Sequence, residues 1–299
     1  MEIRTLRYFM AIAREGSLTK AGEYLHITQP TLSRAMRDLE QELGCELFIR
    51  KSRSLPLTED GLKLRERARE ILALVDKTES EFAEKDENIT GDVYLGAAET
   101  PLMAHIAAIA QAVHERYPYI RFNIYSGNEE TISGRLDSGL LDFGLLMEPA
   151  NLSHYHHIPL PDTDAWGLMM RADHPLAAKK AVTPNDLMAV PLFVSRQATG
   201  RTHTQNIFSD WFAGHFDDLN IVGTFDLLTN TSAFVKQGMG CAFTVEGLMD
   251  LNEDRSLCFR PLTPTLTPRC DLAWKQDRTF SPAAQVFFDE SMRYLMASA

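Results

Sequence analysis

The sequence predicts a multidomain α/β protein, in which a small helical N-terminal domain and a long linker helix precede a larger α/β body. Three observations carry this prediction. Short amphipathic helices follow one another closely near the N-terminus, a long helical pattern without proline comes next, and strands and helices alternate in the remainder. The predicted boundaries are residues 1–58, 59–90 and 91–299.

The charge of the chain is divided unevenly along its length. The 299 residues carry a formal net charge of -11, but residues 1–58 hold nine Lys/Arg against seven Asp/Glu. The acidity therefore belongs to the later part of the chain, and the first part is mildly suited to a polyanion. No apolar run approaches the roughly 18 residues of a membrane helix, and no signal peptide is recognisable, so we expect a cytoplasmic protein without a membrane partner.

Three helices are predicted in the first domain. The first spans about Ile3–Arg14, and the second spans about Leu18–Leu25 with Ser17 as its N-cap. We expect Thr28 to cap the third helix, which carries Pro30 in its first turn, where a missing N–H costs nothing.

The third helix has two distinct faces. At about 100° per residue, the apolar positions that fall together as a core face are Leu32, Met36, Leu39 and Leu43. A second face, with Gln29 at its leading end, comprises Pro30, Ser33, Arg34, Arg37 and Gln41. Hydroxyl and guanidinium groups there can reach base edges and phosphates in a major groove. The alternative is the solvated face of an ordinary amphipathic helix.

A basic hairpin follows the third helix. Two short apolar strands, Glu46–Arg50 and Leu55–Thr58, flank a turn that contains Lys51 and Arg53. Such a hairpin beside a recognition helix is typical of a winged helix-turn-helix, in which the basic side chains contact the DNA backbone. The alternative is a solvated hairpin tip.

The run GSLTKAGEYLHITQPTLSRAMRDLEQELGCELFIRKSRSLPLTEDG resembles the N-terminal domain of LysR-type transcriptional regulators. The resemblance is dense over about 60 residues. It implies DNA contacts at Gln29, Pro30, Thr31, Ser33, Arg34, Arg37, Arg50 and Arg53. Two residues depart from the family pattern: Asp60 replaces a common small residue, and Gly22 stands where alanine is usual. We expect this glycine to cost the second helix about 0.5–1 kcal/mol.

The linker helix has an apolar stripe close to a heptad rhythm. Thr58 is a good N-cap, and only one glycine and no proline occur from there to about Asp86. The stripe comprises Leu64, Ala68, Ile71, Val75 and Phe82. A helix of roughly 40 Å cannot bury such a stripe in one small domain, so we expect it to pair with a second copy. The LysR resemblance likewise implies dimers and tetramers, and the alternative is a helix packed on its own chain.

Residues 91–299 alternate between strand and helix patterns, which predicts an α/β domain with parallel sheets. The predicted strands are Val93–Gly96, Ile120–Tyr125, Leu141–Met147, Ala165–Met170, Leu192–Val194, Ile221–Phe225, Cys241–Val245 and Cys270–Trp274. The predicted helices are Pro101–Arg116, Glu129–Asp137, Pro184–Met188, Gln205–His215, Asn230–Gln237 and Pro282–Met296.

The LysR resemblance extends more weakly into this body. It implies a periplasmic-binding-protein-like α/β effector domain of two subdomains with a ligand cleft between them. The chain is expected to cross near Leu160–Asp164 and to return near Thr263–Arg269. Subdomain I would then comprise residues 91–161 and 269–299, and subdomain II residues 162–268.

The resemblance also implies a set of effector contacts in that cleft. They are Glu99, Thr100, Asn128, Glu129, Met147, Glu148, Thr199, Arg201, Thr202, His203, Phe225 and Asp226. Free N–H groups of a helix capped by Thr100, with Pro101 at its first position, favour an anion, whereas Glu99 opposes one. Arg201 and His203 are the side chains best suited to meet a carboxylate. For each residue the alternative is ordinary loop capping or surface solvation.

Other reactive residues carry little signal. The four cysteines form no CxxC pair, so we expect reduced structural thiols, with a redox-sensing pair as the alternative. His154, His156 and His157 are placed in one loop without further metal ligands, and no metal site is expected. No catalytic motif is present, and no cofactor is expected.

Together these features predict a bacterial transcription regulator that binds double-stranded promoter DNA and is controlled by a small-molecule effector. Its expected partners are a second copy, as homodimer or homotetramer, and RNA polymerase. Two rivals are a cytosolic solute-binding module and an enzyme with an appended DNA-binding head. The effector, the target promoters and the direction of regulation do not follow from the sequence.

Overall fold

The computed structural model describes residues 1–49, 55–83, 89–196, 207–249, 251 and 255–298, with the side chains of 80–83 and 298 left aside. The chain divides into two compact units, Met1–Ala83 and Glu84–Ala299. Within the described residues, no helix combines the length and the apolar character that a membrane crossing requires.

The described residues of the N-terminal unit form four helices. They are α1 (Ile3–Glu15), α2 (Leu18–Leu25), α3 (Gln29–Leu43) and α4 (Glu59–Ala83). Ser17 caps α2 as predicted, because its Oγ accepts from the backbone N–H of Lys20 at 3.5 Å. Thr58 caps α4 by accepting from the N–H of Gly61 at 3.0 Å. The cap predicted at Thr28 is wrong in its chemistry, since this hydroxyl pairs with the hydroxyl of Thr31 and makes no bond to the helix backbone.

Gly22 is required by the turn between α2 and α3. A Cβ at this position would lie 2.6 Å from the carbonyl oxygen of Ile27. The Gly22 carbonyl also accepts from the N–H of Ile27 at 2.9 Å, so the two backbone segments are in direct contact. The close approach of the two backbones therefore gives this glycine a role in the turn that the helical pattern did not indicate, because an added Cβ would force the turn to shift.

Helix α4 shares in the core of its own unit. Ala68 is fully buried there, and Leu64 and Ile71 pack against the same core. Arg7 of α1 reinforces this packing through an ion pair with Asp76 at 2.8 Å. Part of the stripe that was expected to face a second copy thus serves the folding of a single chain, and the side chain of Phe82 lies outside the description.

In the part of the C-terminal unit that the structure describes, the strands form two five-stranded sheets. Ten strands build them: β1 (Gly91–Ala97), β2 (Ile120–Ser126), β3 (Phe143–Met147), β4 (Tyr155–Pro159), β5 (Trp166–Arg171), β6 (Leu192–Ser195), β7 (Ile221–Phe225), β8 (Cys241–Val245), β9 (Leu257–Pro261) and β10 (Cys270–Lys275). Lobe I holds the sheet ordered β2-β1-β3-β10-β4, and lobe II holds the sheet ordered β7-β6-β8-β5-β9. The sheets are mixed, which corrects the prediction of parallel sheets: β10 is antiparallel to both of its neighbours, and so is β5.

The described helices of this unit flank the sheets. They are α5 (Met103–Arg116), α6 (Glu129–Asp137), α7 (Pro184–Met188), α8 (Ile207–Trp211), α9 (Leu228–Lys236) and α10 (Pro282–Ser298). The last helix, α10, packs against α5 and β1 and so returns the C-terminal segment to lobe I. The chain passes from β4 of lobe I to β5 of lobe II across residues 160–165, and it returns from β9 to β10 across residues 262–269.

Two of these strands were not predicted. Strand β4 contains His156 and His157, which were expected in a loop, and β9 lies where no element was expected. Both are edge strands in which only the first residue is buried, so neither has the continuous apolar run of an interior strand.

Replacing Gly22 by alanine tests the close approach of α2 to the turn. Alanine is the better helix former, but its Cβ would press on the backbone of Ile27. We expect Gly22→Ala to lower the free energy of unfolding by about 1–2 kcal/mol, measured by denaturant unfolding followed by circular dichroism.

A matched control is Gly134→Ala in α6, where an added Cβ meets nothing within 4 Å. This change should stabilise the protein by about 0.5–1 kcal/mol. A Gly22→Ala protein as stable as the wild type would show that the turn relaxes without cost.

Candidate functional site

The first candidate site is the exposed face of α3. Leu32, Met36 and Leu39 are buried in the N-terminal core, whereas Leu43 at the end of the helix is exposed and does not extend that face as predicted. On the opposite side the first turn presents three exposed residues, Gln29, Pro30 and Thr31. The core therefore fixes the orientation of the helix and leaves its polar N-terminal end open to solvent.

The guanidinium groups of α3 are held only loosely. The side chain of Arg34 is 82% exposed, and its Nε lies 3.9 Å from the carboxylate of Asp38 one turn along. Arg37 is also exposed and donates to the backbone carbonyl of Ser33 at 3.4 Å. An exposed ion pair of this length contributes little to stability. These guanidinium groups can therefore turn toward an anionic partner at a small cost in free energy.

The hairpin after α3 forms the base of a wing. Phe48 and Leu57 make an antiparallel bridge, and the N–H of Ile49 donates to the carbonyl of Pro56 at 2.8 Å. The N–H of Leu55 donates to the carbonyl of Gly16 at 2.9 Å, which ties the hairpin to the end of α1. The predicted contacts Arg50 and Arg53 lie outside the described residues.

The second candidate site is a cavity between the two lobes of the C-terminal unit, with a volume of about 50 Å³. Six of the predicted effector contacts line it: Glu99, Asn128, Met147, Glu148, Phe225 and Asp226. Lobe I contributes the first four and lobe II the last two, from positions at or beyond strand ends. The cavity thus lies where ligands bind in open α/β folds.

Two hydrogen bonds join the lobes at the cavity. The backbone N–H of Leu228, the first residue of α9, donates to the Glu99 carboxylate at 2.5 Å. The side-chain amide of Asn128 donates to the Asp226 carboxylate at 2.9 Å, and Arg196 donates to the same oxygen at 3.2 Å. The cleft is therefore held closed by side chains of the protein itself.

Two predicted contacts serve the structure around the cavity and do not line it. Thr100 is buried, where its hydroxyl donates to the Asp164 carboxylate at 2.5 Å and accepts from the N–H of Leu102 at 3.0 Å. Helix α5 begins at Met103, so Pro101 precedes the helix and does not occupy its first position as predicted. Glu129 accepts from the hydroxyl of Ser133 at 3.1 Å within α6.

Four further predicted contacts, Thr199, Arg201, Thr202 and His203, lie outside the described residues. The cavity also has lining residues that the sequence did not reveal: Ala98, Gly127, Pro149, Trp166, Ser195, Phe208, Thr244, Val245 and Leu248. Trp166 was detectable, since it is a tryptophan at the start of a strand directly after the predicted crossing between lobes.

Burial next to the crossing raises the pKa of the Asp164 carboxyl, although the hydrogen bond from Thr100 opposes the shift. A carboxylate in this position stabilises the fold less when it is charged than when it is protonated. By accepting a hydrogen bond from the Thr100 hydroxyl, this carboxylate holds the start of α5 against the interlobe segment, although burying its charge there costs free energy.

The histidines of β4 have structural partners. His157 lies 3.0 Å through Nδ1 from the buried carboxylate of Asp271 on the neighbouring strand β10. His156 lies beside Trp274 with a ring separation of 6.1 Å. Among the residues that the structure describes, no group of three or more His, Cys, Asp or Glu side chains is arranged to hold a metal ion.

The cysteines of the C-terminal unit are disfavoured as redox sensors. Burial raises the pKa of the Cys241 thiol to about 11 and raises those of Cys258 and Cys270. Strand β5 lies between β8, which holds Cys241, and β9, which holds Cys258. Two strand spacings amount to about 9–10 Å, beyond the roughly 7 Å that a disulfide allows.

Two family models match the chain. The one described as bacterial regulatory helix-turn-helix protein, lysR family, matches residues 3–62. The one described as LysR substrate binding domain matches residues 86–295. Together they account for both candidate sites, the first for α3 and the wing and the second for the cavity.

Individual proteins resemble the chain over most of its length. An uncharacterized HTH-type transcriptional regulator, YvbU of Bacillus subtilis (strain 168), is 28% identical over 291 residues, which is 97% of each chain. The hydrogen peroxide-inducible genes activator of Pectobacterium carotovorum subsp. carotovorum is 30% identical over 194 residues, covering 65% of this chain and 64% of that one. The crystal structure of full-length CbnR complexed with target DNA has a TM-score of 0.71 at 19% identity and covers 100% of both chains.

The raised thiol pKa values predict that peroxide leaves the C-terminal cysteines unchanged. Thiolate is the form that peroxide and alkylating reagents attack, so Cys241 and Cys270 should stay unmodified in the folded protein. Peptide mass spectrometry after treatment with hydrogen peroxide and then iodoacetamide checks this, and denatured protein provides the fully labelled control. A linked Cys241–Cys258 peptide from native protein would contradict it.

The raised pKa of Asp164 predicts a pH-dependent effect of Asp164→Asn, a change that keeps an acceptor for Thr100. The wild-type carboxyl is protonated at low pH, and its burial cost is fully present once the pH exceeds its raised pKa. The melting temperature of the variant relative to wild type should therefore increase between about pH 4 and about pH 7.

Thr100→Val is the comparison for this test, because it removes the donor and leaves the buried carboxylate. It should destabilise the protein most at neutral pH, where that carboxylate is charged. If the difference in melting temperature between Asp164→Asn and wild type does not change with pH, burial imposes no free-energy cost on the charged Asp164 carboxylate.

Proposed function

The chain belongs to the LysR family of transcriptional regulators, and from this premise we propose how its own residues bind DNA and an effector. Like its relatives it is a DNA-binding regulator with an effector-binding domain. In the proposal, α3 enters the major groove and the cavity between the lobes takes a small molecule.

The observation that carries the DNA-binding part is the orientation of α3. One face is locked in the core by Leu32, Met36 and Leu39, while the exposed first turns present the polar set. In this proposal the groove contacts are Gln29, Pro30, Thr31, Ser33, Arg34 and Arg37. Arg50 and Arg53 would meet phosphates, as the sequence pattern of a wing indicates.

A second copy of the chain is part of the proposal. Helix α4 is 25 residues long, and it exposes Leu62 and Leu74 outside its contacts with the N-terminal core. Apolar side chains at such positions favour pairing with another helix, and a two-fold dimer fits two half-sites about one turn of DNA apart. We assign homodimers or homotetramers to this surface, with RNA polymerase as a further partner of the cytoplasmic complex.

The effector acts in this proposal through the angle between the lobes. A ligand in the cavity changes the balance between closed and open arrangements only if it binds them with different affinity. DNA must then change the affinity for the effector by the same factor. The regulator needs no catalytic step and no cofactor, because ligand binding alone supplies the signal.

The function is tested by selection from a pool of random duplexes with the full-length protein. We expect enrichment of one sequence with two-fold symmetric half-sites, whose spacing gives the distance between two recognition helices. Recovery of unrelated sequences, at the affinity of the starting pool, would overturn sequence-specific binding.

Arg34→Ala should weaken binding to the selected duplex by about fivefold to 150-fold, since a bidentate base contact is worth about 1–3 kcal/mol. Arg4→Ala is the matched control, because the Arg4 side chain is 74% exposed, against 82% for Arg34, and lies on α1. Fluorescence anisotropy at a fixed salt concentration measures both. Equal affinity of Arg34→Ala and wild type would remove this residue from the interface.

A further inference from the structure

The N-terminus of α9 already holds a carboxylate. Helix N-termini attract anions through their free N–H groups, and Leu227, the N-cap residue of α9, makes no side-chain cap. The Glu99 carboxylate reaches across from lobe I and accepts the N–H of Leu228. The place in the cleft where an acidic ligand would bind most favourably is therefore taken by a side chain of the protein.

The described lining of the cavity is acidic. Three carboxylates border it, those of Glu99, Glu148 and Asp226, and none of the other described lining residues is Lys, Arg or His. Glu148 accepts from the backbone N–H of Arg269 at 2.9 Å, and Asp226 is the acceptor for Arg196 and Asn128. Each carboxylate accepts through further lone pairs as well, so these contacts leave acceptor capacity for a cationic ligand.

The cavity wall also contains an indole N–H, which bears on the hydrogen-bonding group that a ligand would need. Trp166 is 6% exposed and lines the cavity, and its Nε1 is buried without a hydrogen-bond partner among the residues that the structure describes. A buried donor of this kind is normally satisfied, and a ligand acceptor would satisfy it. Phe208 packs edge-on against the indole at 4.7 Å and, with Phe225, adds apolar surface to the lining.

We propose that the effector is a compact molecule with an ammonium or amidinium group for the carboxylates of Glu99, Glu148 and Asp226 and an acceptor for Trp166 Nε1. This inference rests on the proposed function of the same cavity and specifies its ligand class. Trp166, Phe208 and Phe225 belong to the same lining, and aromatic rings near a cation attract it. A carboxylate ligand would have to displace Glu99 from α9 and lie among like charges.

The first test measures the electrostatic potential in the cavity from the reactivity of an introduced cysteine thiol, the reporter. Ser195→Cys places a thiol on a half-buried lining residue at the end of β6. The reagents are 2-aminoethyl and 2-sulfonatoethyl methanethiosulfonate, which are similar in size and opposite in charge. Peptide mass spectrometry gives each labelling rate at residue 195, and the rates with free 2-mercaptoethanol correct for intrinsic reactivity.

We expect the cation-to-anion rate ratio at residue 195 to exceed that of an exposed-loop control, Ser153→Cys, by about tenfold. Adding Glu99→Gln to the reporter should lower the ratio several-fold, because it removes one of the three charges. A ratio equal to or below that of Ser153→Cys would overturn the proposal and point to an anionic effector.

The second test uses three matched probes at millimolar concentration and does not depend on access of the labelling reagents. Leucinamide carries an ammonium and an amide acceptor, isocaproamide carries the acceptor alone, and isocaproate is the anion. The melting temperature of the full-length wild-type protein should rise most with leucinamide, and Trp166→Phe should reduce that rise. A larger rise with isocaproate, or no difference among the three, would contradict the assignment.

Affinity for the selected duplex, measured on the same samples, separates this inference from the proposed function. Normal DNA binding with an anion-preferring cavity would reject only the ligand class. Loss of sequence-specific DNA binding in the wild type would reject the regulator assignment itself.

Discussion

The hydrogen bond from the Leu228 N–H to the Glu99 carboxylate is the contact on which the closed cleft depends. It joins the start of α9 in lobe II to the loop after β1 in lobe I. With the bond between Asn128 and Asp226, it brings the walls of the cavity together. Charge-assisted hydrogen bonds of this kind contribute about 1.5–3 kcal/mol each. A ligand whose affinities for the two arrangements differ by a few kcal/mol can therefore change their balance.

The segments between the lobes have their own set of contacts, separate from those at the cavity. Thr100 holds Asp164, and His105 lies 2.9 Å through Nε2 from the carboxylate of Asp162 in the same segment. On the return path, Glu148 and Arg269 exchange two hydrogen bonds. Because β10 inserts between β3 and β4, the return path is anchored in the lobe I sheet as firmly as the outgoing one. In the proposed mechanism, these segments would act as the pivot between the lobes, and the contacts at the cavity would set the angle.

Some features of the structure follow from the local sequence pattern, and others depend on contacts that the pattern does not contain. Helices such as α1 and α6, and interior strands such as β8, follow from local periodicity. Edge strand β4 did not, because a strand with one polar face and two histidines resembles a loop. Gly22 was misjudged since its neighbour across the turn, the Ile27 carbonyl, is not visible in a helical pattern.

The cavity residues likewise divide into those that a local pattern predicts and those whose contacts depend on packing. Residues at strand ends, such as Asn128 and Asp226, line the cavity because those loops converge in any fold of this type. Thr100 lies in the same loops, but its hydroxyl is used by Asp164 and Leu102 and is not available to a ligand. Which side chains are consumed by internal partners depends on packing between lobes, and a sequence pattern does not contain that information.

The charge distribution of the whole chain supports the ligand class from a longer range. The net charge of -11 arises after the first 58 residues, in the part of the chain that includes the cavity. A cleft with low-dielectric walls and one dominant sign concentrates ions of the opposite sign. An anionic metabolite would meet repulsion on approach and again at Glu99, whereas a cation would be attracted at both stages. The same acidity disfavours nonspecific binding of nucleic acid by this unit, whereas residues 1–58 are mildly basic and suit a polyanion. Under these proposals, effector binding and DNA binding depend on opposite charges in separate units, so that one would not compete with the other for the same surface.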